Sequence, residues 1–320
     1  MQKWFLKCFY GYRNWWDELL FRGVIDYIAD RYPDIDHLDV EVADVTWMQS
    51  WREINKGSIW ASAIATPFVT GVRLISFVPL SRDLGDNFRY DKYFFGGGEL
   101  FAESRWWHGG WNYLLRYFFA INSKPYVLLG GFEKATTRWQ KILYKYLLPK
   151  AEAIVCRDEI SFQTVSNYVD DKNKITLHED FAVKIIQTIR WNNEVKTNQA
   201  PYALVNLIEH RLDETARAMI QQWHKNYKDT QSGEIIYFPC TAKDTQRQET
   251  LTTRWIVSEV YDRTKHTVEE SLSLFAQADA VVGSRLHFLL PAQVLDRPRL
   301  AISYAEKIDK LITSTIELRA

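Results

Sequence analysis

The sequence predicts an α/β protein built from two Rossmann-like domains that face one another across a cleft. Three observations lead there. Short runs rich in Val, Ile, Leu and aromatic residues alternate with amphipathic stretches of helical period, the pattern of parallel strands joined by crossover helices. Glycines collect at the ends of those runs, at Gly96-Gly97-Gly98, Gly130-Gly131 and Gly283, where ligands of doubly wound sheets bind. Finally, the alternation breaks at a polar stretch from Thr188 to Ala200 and then restarts. The 320 residues therefore divide into an N-terminal domain over 1–187, a linker over 188–200 and a C-terminal domain over 201–320.

Each element follows from local pattern. Lys3 to Tyr10 reads as a strand, and Asp17 to Arg31 as an amphipathic helix whose acidic start suits a helix N-terminus. Leu38 to Val45 is a second strand, and Trp47 to Leu84 has no single period. Asp91 to Phe95 is a strand running into the triple glycine, which lets a backbone approach a ligand or a neighbouring element. Its spacing matches neither a dinucleotide fingerprint nor a P-loop. Ser104 to Trp111 is an aromatic loop that contains His108, read either as a substrate contact or as a packing lid. Strands at Lys124–Gly131 and Ala151–Cys156 flank a helix over Arg138–Pro149, and Arg157-Asp158-Glu159 opens the next helix. Ile175 to Ala182 is a short strand and turn. Beyond the linker, strands at Tyr202–Leu207, Glu234–Phe238, Ala280–Val282 and Leu300–Tyr304 alternate with helices at Asp213–Tyr227, Gln246–Val260, Val268–Gln277 and Glu306–Leu318.

Composition excludes several classes. Forty basic residues balance forty acidic ones, so bulk charge gives no argument for nucleic acid. The run Ile59 to Val72 is broken by Pro67 and Gly71 and is shorter than the roughly 20 apolar residues of a membrane span. Cys8, Cys156 and Cys240 lack metal-ligand spacing and read as reduced, buried thiols of a cytoplasmic protein. Thirteen Trp, 17 Tyr and 17 Phe suit stacking on sugar faces, although such rings more often fill cores.

The sharpest stretch is Ala278-Asp279-Ala280-Val281-Val282-Gly283-Ser284-Arg285-Leu286-His287. A buried strand, a turn at Gly283 and a helix capped by Ser284 would place Arg285 and His287 in the first helical turn. Unpaired amides and the positive end of the helix dipole favour an anion there. A guanidinium grips carboxylate or phosphate, and a histidine carries a proton near neutral pH. The competing explanation is a surface ion pair for Arg285 and simple packing for His287.

Taken together, Gly283-Ser284-Arg285-Leu286-His287, Leu300 to Lys307, Gly11-Tyr12-Arg13-Asn14 with Asp17-Glu18, Gly96-Gly97-Gly98, Arg157-Asp158-Glu159 and Asp180-Phe181-Ala182 resemble the polysaccharide pyruvyl transferase family, in the family's order and over nearly the whole chain. The resemblance implies a GT-B-like fold, with phosphoenolpyruvate as donor substrate and no separate cofactor or metal. It implies a sugar acceptor of a cell-surface polysaccharide, free or lipid-linked, the latter bringing a cytoplasmic enzyme to the inner face of the membrane. The N-terminal domain would take the acceptor and the C-terminal domain the donor. Arg285 would bind the donor's phosphate or carboxylate, and His287 would be the general acid. Gly283, Ser284, Lys307, Asn14, Gly96, Gly97, Gly98 and His108 become substrate-binding candidates. The chain departs from the family at Trp16, where glycine is usual, and at Ile208, where many members carry arginine. It departs again at Phe288 and Ala305. Two other readings use the same residues: a GT-B glycosyltransferase with a nucleotide-sugar phosphate loop at Cys240–Asp244, and an inactive glycan-binding relative.

Overall fold

The computed structural model describes residues 2–10, 12–54, 75–79, 90–99, 122, 124–192, 201–208, 212–231, 233–241, 244 and 257–302. The chain divides into two compact units, Met1–Lys184 and Ile185–Ala320.

In the first unit the described elements are β1 (Lys3–Tyr10), α1 (Trp15–Arg31), β2 (His37–Val42), α2 (Val45–Ile54), β3 (Ile75–Pro79) and β4 (Lys92–Glu99). They continue with β5 (Tyr126–Gly131), α3 (Arg138–Leu147), β6 (Ala153–Cys156), α4 (Glu159–Ser166), β7 (Ile175–Leu177) and the start of α5 (Phe181–Asn192), which runs on past the unit boundary at Lys184. The seven strands form one sheet in the order β3-β2-β1-β4-β5-β6-β7, every neighbouring pair parallel. Strand order therefore reverses between β1 and β4. Alternation along the strands separates two cores. Phe5, Tyr93, Phe95 and Leu128 pack with Leu143, Tyr144 and Leu147 of α3, while Trp4 and Phe94 on the other face each meet Tyr32 at a ring distance of 5.3 Å and one another at 5.4 Å. Glu18 is buried in α1, where it accepts from Trp47 Nε1 at 2.9 Å and ties α1 to α2.

The second unit contains β8 (Tyr202–Asn206), α6 (Glu214–Gln231), β9 (Glu234–Tyr237), β10 (Glu259–Val260), α7 (Val268–Gln277), β11 (Ala280–Gly283), α8 (Leu286–Val294) and β12 (Arg299–Ala301). Its five strands run in the order β10-β9-β8-β11-β12, again all parallel. Order reverses here between β8 and β11. Ala203, Val205, Ile235 and Val282 form its core with Ala216, Ile220 and Tyr227 of α6.

Several boundaries differ from those read in the sequence, each for a local reason. Asn14 Oδ1 accepts from Trp16 N at 3.2 Å, so α1 starts at Trp15 rather than Asp17. Asp44 takes Trp47 N at 2.9 Å, which starts α2 at Val45 and ends β2 at Val42. The three glycines do not follow β4 but belong to it, with a break in register between Gly96 and Gly98. Asp180 Oδ1 accepts from Ala182 N at 2.9 Å and the chain turns helical, so α5 continues through Asn192, inside the stretch read as a linker. Glu259 and Val260, read as a helix end, instead pair with Ile236 and Tyr237 as an edge strand. Val257 and Ser258 are not helical either, Ser258 N donating to Ile235 O at 2.8 Å. Residues 246–256 of that expected helix, the final helix over 306–318 and linker residues 193–200 lie outside the described residues.

A polar cluster sits inside the first sheet. Asp39 is buried on β2, with Lys3 Nζ at 3.1 Å, His37 Nε2 at 2.6 Å and the Tyr90 hydroxyl at 2.7 Å. Burial alone would raise its pKa, but the hydrogen bonds from Tyr90, His37 and Lys3 outweigh that and hold the carboxyl below the ordinary range. A depressed folded pKa contributes stability that is present above the unfolded value and lost as pH falls through the folded one. Asp39→Asn should lower stability at neutral pH by about 1–3 kcal/mol. In urea unfolding at a series of pH values, that deficit should shrink once the solution falls below about pH 4.

Candidate functional site

The register of the second sheet sets the site. Gly283 at the end of β11 stands opposite Asn206 at the end of β8, at the point where strand order reverses. Open α/β sheets bind ligands beyond the carboxyl ends of their strands at such a point. Three backbone bonds pin the junction. Ser284 N donates to Asn206 O at 3.0 Å, Phe238 N to Val205 O at 3.0 Å and Ile302 N to Gly283 O at 2.8 Å.

Ser284 does not cap the helix. Its fully buried hydroxyl accepts from Ile208 N at 2.7 Å, stitching the exit of β11 to the exit of β8. The N-cap is Arg285, in extended backbone (φ −109°, ψ 129°) and with no capping bond from its side chain. The helix therefore begins one residue later than Arg285, and His287 is its second residue. Of the first-turn amides, that of Phe288 donates back to Arg285 O at 3.1 Å, and the positive end of the helix dipole lies at the mouth of α8. His287 is partly exposed.

Arg285 is oriented by a residue 41 positions earlier in the chain. Its Nη2 donates to Asp244 Oδ1 at 2.6 Å. The Asp244 side chain is 5% exposed and that of Arg285 26%. The second carboxylate oxygen, Oδ2, accepts from Cys240 N at 3.0 Å, from Thr241 N at 2.9 Å and from Asn206 Nδ2 at 3.4 Å. Asn206 also donates to Phe238 O at 2.8 Å. The carboxylate cannot swing, so the guanidinium it holds is aimed. Arg285 still has unmet capacity, because its buried Nε has no partner, and the same holds for the buried Oδ1 of Asn206. Cys240 supplies only its backbone, since burial in first place and the nearby Asp244 push its thiol up to about 12. A thiol so raised is no nucleophile at neutral pH. Cys156 in the first unit is likewise free and buried, its thiol also pushed up to about 12 by burial.

Gly283 and the departure at Phe288 explain one another. A Cβ on residue 283 would lie 2.4 Å from Phe288 Cδ1, so glycine is needed to let that ring under the turn. Phe288 packs on Phe275 and Phe238 at 5.2 and 6.0 Å and is fully buried, which anchors the first turn of α8 from below. Trp16 and Ile208 are also buried, Ile208 giving its N–H to Ser284.

The first unit offers a different set. Asn14 is occupied as the cap of α1. Gly96 lies where a Cβ would come within 2.3 Å of Leu129 Cβ, so the close approach it permits is that of β5. Its carbonyl accepts from the buried Tyr10 hydroxyl at 3.0 Å. Gly97 and Gly98 continue β4 beside it. At the ends of β5 and β6, the Arg157 guanidinium lies against Gly131, within 3.4 Å of Asp158 and 3.8 Å of Asp180. Burial raises the Asp180 carboxyl above its ordinary range despite that arginine. His108, Lys307 and Ala305 lie outside the described residues. Among the described residues no group of His, Cys, Asp and Glu is arranged to hold a metal ion, and no helix is long and apolar enough to cross a membrane.

Asp244 left one trace in the sequence. It is an acid four residues beyond Cys240, just after the apolar run of β9. Nothing local joins it to Arg285, which is 41 positions away. Only the parallel pairing of β9, β8 and β11 brings the two together.

Known structures of similar architecture share very little sequence. The UDP-GlcNAc 2-epimerase from Neisseria meningitidis, bound to UDP-GlcNAc, superimposes with a TM-score of 0.57 at 8% identity, covering 98% of this chain and 85% of its own. The enzyme of that name from Methanocaldococcus jannaschii gives 0.52 at 12% identity, over 98% and 92% of the two chains. S. aureus MnaA, solved with UDP, gives 0.57 at 9%, over 94% and 79%. These likenesses show the fold, α/β with two Rossmann-like units of the GT-B-like kind. Among curated proteins none matches the chain. The family model of the polysaccharide pyruvyl transferases matches residues 17–306, from the first turn of α1 to beyond β12, and the chain accordingly belongs to the polysaccharide pyruvyl transferase family.

Proposed function

We propose that the protein transfers a pyruvyl group from phosphoenolpyruvate to a sugar of a cell-surface polysaccharide or of its precursor, forming a ketal and releasing phosphate. One observation carries this reading: Arg285, aimed by the buried Asp244, stands at the mouth of α8 with His287 two residues on. A phosphate or carboxylate would meet the guanidinium and the helix dipole together, both favouring negative charge.

The chemistry balances with these groups. His287, as imidazolium, gives a proton to the methylene carbon of the enol, and the neighbouring carbon gains oxocarbenium character. A sugar hydroxyl attacks that carbon and loses its proton to the imidazole. The bond to phosphate then breaks, with Arg285 stabilising the departing anion. A second hydroxyl of the same sugar closes the ketal, and its proton leaves with the phosphate. No electron is exchanged, and the histidine ends as it began.

The nucleotide-sugar alternative needs a phosphate loop between Cys240 and Asp244. The amides of Cys240 and Thr241, which such a loop would offer, are already taken by Asp244 Oδ2. That occupancy favours the single anion site at Arg285.

Phosphate release from phosphoenolpyruvate, followed across a panel of acceptor sugars, tests the reading. His287→Ala should lower turnover by about 10²–10⁴-fold while leaving donor binding near the wild-type level. Arg285→Ala should weaken donor binding by about 1.5–3 kcal/mol, the range for a hydrogen bond to a charged group. Full activity of either variant would remove its assigned role. Asp244→Ala should act through Arg285: the apparent affinity for phosphoenolpyruvate falls about tenfold or more, with turnover at saturation less affected.

A further inference from the structure

We propose that the outward face of α3 docks the protein onto an anionic lipid bilayer. This inference stands apart from the identity of the donor, because it rests on the first unit alone. The inner side of α3 is spent on the core, where Gln140, Leu143, Tyr144 and Leu147 are buried. Its outer side is not the charged, apolar-poor surface that normally faces water. Trp139 is 71% exposed, Ile142 47% and Tyr146 42%, at positions i, i+3 and i+7, so they form one stripe. Beside it runs a second stripe at the same spacing, Arg138, Lys141 and Lys145, all exposed.

Charge complementarity selects the occupant. Between Glu133 and Lys150 five basic side chains stand against one acidic one, in a chain whose formal net charge is zero. Local positive charge has thus been gathered on the segment that also exposes its apolar side chains. A tryptophan, a tyrosine and an aliphatic residue flanked by lysine and arginine fit the boundary between headgroups and acyl chains, where ring edges stay hydrated and apolar bodies do not. The basic stripe then meets anionic headgroups. An acidic protein would answer the charge but leave Trp139 and Ile142 with no matching partner, so the bilayer is the occupant that satisfies both stripes.

Flotation of the full-length protein with vesicles tests this. The probe is phosphatidylcholine vesicles with and without phosphatidylglycerol. The protein should float with the anionic vesicles, stay behind with the neutral ones, and be released as salt is raised. Changing Arg138, Lys141 and Lys145 together to Glu should reduce partitioning by at least about a hundredfold, roughly fivefold for each lost basic residue. Trp139→Ala with Ile142→Ala should reduce it on the order of tenfold with little change in the salt dependence that is left. These side chains are exposed, so the melting temperature of both variants should match the wild type. No flotation of the wild type with anionic vesicles would overturn the proposal whatever the variants do. So would flotation undiminished in both variants. A wild type that elutes as a larger species than the Trp139→Ala, Ile142→Ala variant, with equal vesicle binding, would assign the face to self-association and overturn it too.

Discussion

The candidate site depends on a carboxylate that cannot move. Asp244 is buried, and one of its oxygens is held by two backbone amides and the amide of Asn206, so the other points in a single direction. Leaving a buried charge unpaired costs several kcal/mol, about 3–5 when one partner of a buried pair is removed. Arg285 is the cation that meets it, and in doing so gives up much of the freedom of a long side chain. Exits from three strands converge on this pair. β9 leads to Cys240 and Thr241, β8 ends at Asn206, and β11 delivers Gly283, Ser284 and Arg285. The fold is thus not a passive support here. The parallel order β9-β8-β11 is what puts an acid, an amide and a guanidinium from distant positions within hydrogen-bond reach.

That dependence explains what was legible in the residues and what was not. Alternating apolar and amphipathic runs place most of the described strands and helices, because burial on both faces of a parallel sheet leaves a strong local signature, but they do not mark α2, β3, α5 or β10. The Ser284-Arg285-Leu286-His287 junction was readable as a helix mouth for the same reason. Its detail was not. Ser284 has the residue type of a cap, yet the free N–H of Ile208 on the neighbouring strand exit claims its hydroxyl. Val45 sits in a helix although its type favours a strand, because Asp44 caps α2, and Val260 leaves the expected helix because β9 offers it an edge to pair with. Asp244 was invisible as a partner, since an ion pair across 41 positions has no local pattern.

Departures from the family pattern take on physical sense in the same frame. Phe288 fills the space that Gly283 leaves open, so ring and glycine form one packing unit. Ile208 brings no charge to the site, which leaves Arg285 as the guanidinium that the strand exits of the second sheet present to an anion among the described residues. The likeness to nucleotide-sugar epimerases, at 8–12% identity, speaks for the fold. The chemistry has to come from the side chains, and here they offer one held arginine, one first-turn histidine and a strand exit at which the amides of Cys240 and Thr241 are already occupied.

Titration calorimetry on the 320-residue chain reads donor binding without needing the acceptor. Phosphoenolpyruvate should bind the wild type saturably at one site and bind Arg285→Ala roughly 10- to 150-fold more weakly, with no comparable heat from UDP-GlcNAc. Binding of UDP-GlcNAc in place of phosphoenolpyruvate, or phosphoenolpyruvate binding that survives Arg285→Ala unchanged, would contradict it.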